Sequence, residues 1–106
     1  MTGTHILVRG PARLEAVGEF DHDNRHQIVA AVWQVIADGH PHITIDFGAV
    51  TLIDASTVRA LLACRHLAVA HGGGLRILRA NGVVEFVLDT TGAAAALGLR
   101  PAQNTP

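Results

Sequence analysis

Asp46-Phe47-Gly48-Ala49-Val50-Thr51-Leu52-Ile53-Asp54-Ala55-Ser56-Thr57-Val58-Arg59-Ala60-Leu61-Leu62 is the stretch that decides how this chain folds. The apolar strand Ile43-Thr44-Ile45 runs into it, Gly48 breaks the run, and Leu52-Ile53 restores it. An acid and two hydroxyls then stand just ahead of a helical pattern. A strand that hands over to a helix places such a polar junction at one end of a sheet, where the backbone N–H groups of the first helical turn lack partners. Asp54 or Ser56 can serve there as a plain N-cap. The same helix end also favours added negative charge, which suits a docking or phosphorylation surface. Spacing alone does not choose between the two.

Upstream, His5-Ile6-Leu7-Val8-Arg9 reads as a strand and Gly10-Pro11 as a turn. Arg13-Leu14-Glu15-Ala16-Val17 alternates polar and apolar, so the chain opens with a hairpin. Asp21, Asp23 and Asn24 are helix-capping residues. Beyond them Ile28, Val32, Val35 and Ile36 recur at helical spacing, with Val29 and Trp33 widening the stripe, which predicts a helix from about Asn24 to Asp38. Downstream, the second helix runs from about Ala55 to Ala70 with Val58, Leu61, Leu62, Ala68 and Val69 inward, and Gly72-Gly73-Gly74 ends it. A strand at Leu75–Arg79 follows. Asn81-Gly82 then opens a third helix carrying Val83, Val84, Val87 and Leu88, and Ala93–Leu97 is short and helix-prone. The order predicts a single α/β domain, a sandwich with a mixed four- to five-stranded sheet and helices mainly on one face. The domain is expected over residues 1–99, with a flexible polar tail at 100–106.

With 106 residues there is room for one core. The net charge of −1 provides no basic field for nucleic acid or an anionic membrane, and no apolar run approaches the roughly 20 residues of a membrane span. The start lacks the pattern of a signal peptide, and the single Cys64, set in an apolar helical pattern, suits a reducing compartment, so the expected location is cytoplasmic. All eight basic residues are Arg, a bias with no structural explanation.

The sequence is poor in catalytic apparatus. His22 and His26 stand four apart, but a zinc site needs further ligands, and none of the seven histidines falls into a ligand set. Ser56 has no G-x-S-x-G elbow around it. Gly72-Gly73-Gly74 follows a helix and precedes a strand, the reverse of a nucleotide loop. Asp46 and Asp54 flank one loop as cap or turn acids. No catalytic residue, metal or cofactor is implied, and the weight moves to a binding module.

From Val17 to Gly98 the chain resembles a STAS domain, the family of bacterial anti-sigma factor antagonists and related modules. Gly18-Glu19-Phe20-Asp21 is similar to the family's Gly-Glu-Leu-Asp stretch, and Ile43–Asp46 with Val50–Asp54 resembles its central strand and loop. Gly73-Gly74-Leu75 and the Val83 to Gly92 segment match the remaining signatures in order. The resemblance implies partner switching: the unmodified antagonist docks on a serine-kinase anti-sigma factor, and phosphorylation of the serine directly after the loop aspartate ends the docking.

At that position this chain has Ala55, and Thr57 replaces the glycine expected two residues further on. Three outcomes are open: Ser56 or Thr57 takes the phosphate, the protein binds its partner constitutively, or another partner has replaced the kinase. Constitutive or otherwise regulated binding is placed first, because one helical residue turns a side chain by about 100° away from a kinase's in-line geometry. The implied contact surface is Asp21, Asp54, Ala55, Ser56, Thr57 and Arg59, and a homodimer is left open. The rival reading is a small-ligand or nucleotide-binding module using the helix N-terminus near Ser56. A third is an enzyme with Ser56 as nucleophile.

Overall fold

The computed structural model of the chain describes residues 3–99. Strands β1 (His5–Gly10) and β2 (Arg13–Phe20) form the antiparallel hairpin, and α1 (His26–Ala37) follows. Then come β3 (His42–Ile53), α2 (Ala55–Ala70), β4 (Gly74–Leu78), α3 (Gly82–Thr90) and the single turn α4 (Ala93–Ala96). The sheet has four strands in the order β1-β2-β3-β4, with β2, β3 and β4 mutually parallel. The expected tail at 100–106 lies outside the described residues.

Period-two alternation sorts the sheet into two faces. Leu14 and Ala16 of β2 and Ile43, Ile45 and Phe47 of β3 are buried under the helices, while Glu15, Thr44 and Asp46 between them are only half-buried. From the helices, Ile28 and Val32 of α1, Leu61 and Ala68 of α2, and Val84 and Leu88 of α3 complete the same core.

The structure departs from the sequence pattern at several points. Gly48 bulges β3 rather than ending it: the pairing with β2 jumps between Glu15–Asp46 and Val17–Ala49, and the strand continues to Ile53. β2 accordingly extends to Phe20, opposite Ile53. Trp33, Val69 and Val83, read as inward, are about half exposed (55%, 48% and 55%), because each helix meets the sheet along a narrower stripe than its apolar residues cover. Cys64, whose place in an apolar helical pattern marks it as a small buried side chain rather than a nucleophile, does lie in the core of α2, and burial pushes its thiol up to about 11, leaving it protonated and inert. α1 starts at His26, after Arg25, with no side-chain cap; Asp21 and Asn24 instead bond within their own turn.

Candidate functional site

The parallel strands β2 and β3 end side by side at Phe20 and Ile53, so the two loops that leave them share one end of the sheet. Asp54, the first residue past β3, has extended backbone (φ −110°, ψ 176°) and caps α2. Its Oδ1 accepts from the Thr57 backbone N–H at 2.8 Å, the Ser56 hydroxyl at 2.8 Å and the Thr57 hydroxyl at 2.9 Å. Its Oδ2 accepts from the backbone N–H of His22 at 3.2 Å, which ties the loop after β2 to the start of α2. Partial burial pushes the Asp54 carboxyl up, but the four hydrogen bonds outweigh it and its pKa lies below the ordinary aspartate value.

Four donors on one carboxylate fix the turn. Thr57 lies beneath the surface with no exposure, its hydroxyl directed at Asp54. It is therefore not accessible as a phosphate acceptor or as a direct contact residue, the roles its sequence position gave it. Ser56 is half-buried, and its hydroxyl donates to the same oxygen. Ala55 and Arg59 are exposed, as is Asp21 across the tied loop, and Leu52 just before the turn is 45% exposed. The surface thus joins residues far apart in sequence around a small apolar side chain. The N–H groups expected to be free for an anion are not all free: Thr57 N–H is taken, and the Asp54 carboxylate stands at the helix end where an anion would dock.

A second polar cluster flanks the bulge in β3. The Asp46 carboxylate accepts from the Gly48 backbone N–H at 2.8 Å and from the Arg79 guanidinium, whose Nε lies 3.1 Å from both oxygens. The Arg79 hydrogen bond is the main cause that holds Asp46 below its ordinary value, and desolvation opposes it. Asn81 reaches from the start of α3 to the Gly48 carbonyl. Asp46 is thus a pinned strand acid and Asp54 a helix cap, not a catalytic pair. Sequence reading missed Arg79, which sits 33 positions from its partner, and no local spacing signals such a pair.

His22 accepts a hydrogen bond on Nδ1 from Arg25, and among the described residues no group of three or more His, Cys, Asp or Glu gathers as a metal site. No helix among the described residues is long and apolar enough to cross a membrane.

A sequence profile of the family described as "Mlab, STAS domain" matches residues 7–100. Among solved structures, the anti-sigma factor antagonist SpoIIAA in its unphosphorylated form is 21% identical over 82% of each chain, with a TM-score of 0.63. The Bacillus cell fate determinant SpoIIAA in its phosphorylated form is 21% identical over 89% of this chain and 87% of that one, with a TM-score of 0.65. A Thermotoga maritima protein, proposed to be an anti-sigma factor antagonist, is 18% identical over 84% and 78%, with a TM-score of 0.68. At these identities the likeness shows a common fold. No curated protein sequence matches the chain.

Proposed function

We propose that this chain, which belongs to the STAS domain family, is a non-enzymatic bacterial, cytoplasmic regulator: an anti-sigma factor antagonist that docks on a serine-kinase anti-sigma factor through the first turn of α2. The observation that carries this reading is the exposure of Ala55 beside Asp21 and Arg59, on a turn that Asp54 holds rigid through four hydrogen bonds. A preorganised surface loses little entropy on binding. The similar folds of SpoIIAA, known in both unphosphorylated and phosphorylated forms, supply the precedent for a module of this shape in partner switching.

Docking is constitutive in this reading. Ala55 has no hydroxyl, Thr57 is buried, and a phosphate on Ser56 would lie against the Asp54 carboxylate that now accepts its hydroxyl. That would bring about two further negative charges next to an existing one. Asp21, Asp54, Ser56 and Arg59 supply polar contacts around Ala55, and Thr57 supports them from below. The small-ligand reading loses ground for the same electrostatic reason, since Asp54 repels an anion from this helix end.

The test is to incubate the protein with serine-kinase anti-sigma factors and ATP, then follow complex formation by size-exclusion chromatography and modification by intact mass. Stable complex without added phosphate supports constitutive docking. A protein that binds none of these kinases, but whose melting temperature rises with a nucleotide, would overturn it in favour of the ligand module.

A further inference from the structure

The outward face of the helix layer is short of charge. On α1 the exposed positions His26, Ala30, Trp33 and Ala37 recur at helical spacing, and on α2 Ala55, Arg59, Ala63, His66 and Ala70 form a second stripe. The solvent side of a globular protein's helix ordinarily carries charged and polar residues. Here α1 has no charged residue other than histidine, α2 adds only arginine and one histidine, and neither helix contains a carboxylate side chain. Between the two stripes Val29, Trp33, Ala63, Cys64 and Leu67 line a hollow of about 230 Å³. That lies below the roughly 300–1,000 Å³ of small-molecule sites, so it suits a protruding side chain better than a free ligand.

This face is continuous with the docking surface. Ala55 and Arg59 of that surface are the first two members of the α2 stripe, and Ala63, the third, is a wall of the hollow. Ala63 stands eight positions after Ala55, about 12 Å along a helix. An interface of ordinary size, about 800 Å² on each partner, reaches roughly 16 Å from its centre and so extends over it. Charge narrows the choice of occupant. Among the described residues Arg59 joins no ion pair. A second copy laid on this face would oppose Arg59, His26 and His66 to their own kind, with no acid from either helix to relieve them.

We propose that the partner docked on the first turn of α2 also sets an apolar side chain, flanked by carboxylates, into the hollow between α1 and α2, with Trp33 as the anchor. The inference rests on the docking reading and gives the partner's chemistry at that site. Interface cores are depleted in charge and enriched in aromatic residues, and tryptophan is prominent among the few that dominate affinity. Arg59 stands at the rim, where it meets the carboxylates.

The experiment uses the full chain labelled with 5-fluorotryptophan, which gives one ¹⁹F resonance because Trp33 is its single tryptophan. On addition of a serine-kinase anti-sigma factor the resonance should shift and lose its response to a soluble paramagnetic agent. By isothermal titration calorimetry, Trp33→Ala should weaken binding at least about thirtyfold and Ala63→Glu at least about tenfold. Arg59→Gln should flatten the salt dependence of the affinity. Val8→Ala, on the 72% exposed valine of β1, should change binding by less than about twofold. A complex that Ala55→Glu disrupts, but in which Trp33 stays open to the paramagnetic agent or Trp33→Ala binds as tightly as the unaltered chain, would overturn this inference and leave the docking reading standing. An unchanged salt dependence in Arg59→Gln would overturn the acidic character of the partner. Absence of any complex would overturn both readings, and a resonance that shifts with the chain's own concentration would give the hollow to a second copy instead.

Discussion

The backbone N–H of His22 donates to Oδ2 of Asp54 at 3.2 Å, so a loop 32 residues earlier in the chain is fastened to the cap of α2. One carboxylate thereby does two things: it closes the first turn of a helix and holds a second loop beside it. Asp54→Ala removes all four hydrogen bonds at once. The expected cost is about 1–2 kcal/mol from the cap and its partners. In a domain of this size the melting temperature should fall by roughly 4–8 °C for each kcal/mol. Asp54→Asn keeps a cap acceptor and should lose less; equal losses for the two variants, measured by urea denaturation, would contradict this role.

Acid should expose the same carboxylate. The pKa of Asp54 and of Asp46 is lowered in the folded protein relative to the ordinary aspartate value. The unfolded chain therefore takes up protons first as pH falls, and the stabilisation present above the unfolded pKa is lost as pH drops through the folded one. Urea midpoints should hold near neutrality and decline below about pH 5, with a shallower decline in Asp54→Asn. The Asp46 share should shrink in high salt, since Arg79 is largely exposed (70%) and solvent screens the pair.

Apolar residues on the same helices should differ sharply in what they contribute. Leu61 is fully buried, and Leu61→Ala should cost about 2–5 kcal/mol. Trp33, at 55% exposure, rests only partly along the groove beside Val29, Cys64 and Leu67, and Trp33→Ala should cost about 1 kcal/mol or less. Chemical denaturation of the two variants decides, and a Trp33 loss matching that of Leu61 would place the tryptophan in the core after all.

These contrasts mark how much of the molecule the sequence discloses. Strand alternation in Arg13–Val17 and the helical repeat of Ile28, Val32, Val35 and Ile36 reflect local periods, and they locate the hairpin and α1 within a few residues. The Ala55–Ala70 helix matches its expected bounds, because an extended Asp54 and a glycine run are strong end signals. Residues such as Trp33, Val69 and Val83 belong to apolar stripes wider than the sheet can cover, and a helical wheel carries no information about where the neighbouring element stops. The position of the Asp54 turn at the sheet end was legible. Its fastening to His22, the burial of Thr57 and the pairing of Asp46 with Arg79 were not, since they depend on contacts across 32 or 33 positions or on side-chain direction.

Ala55→Ser should restore what the turn lacks. It places a hydroxyl at the exposed position directly after Asp54. A serine-kinase anti-sigma factor that leaves the unaltered chain unmodified should add one phosphate to this variant in the presence of ATP, and the modified protein should dissociate through repulsion and desolvation. A variant that resists the kinase while still binding it would argue against this acceptor geometry.

The central claim is that a partner grips the first turn of α2. Its most direct measurement is the affinity of a serine-kinase anti-sigma factor for the unaltered chain, Ala55→Glu and Arg9→Gln, by isothermal titration calorimetry. A charge set at the middle of the contact should weaken binding by at least about a hundredfold, whereas the remote substitution should change it by less than about twofold. Binding by Ala55→Glu as tight as that of the unaltered chain would place the partner elsewhere and contradict the account.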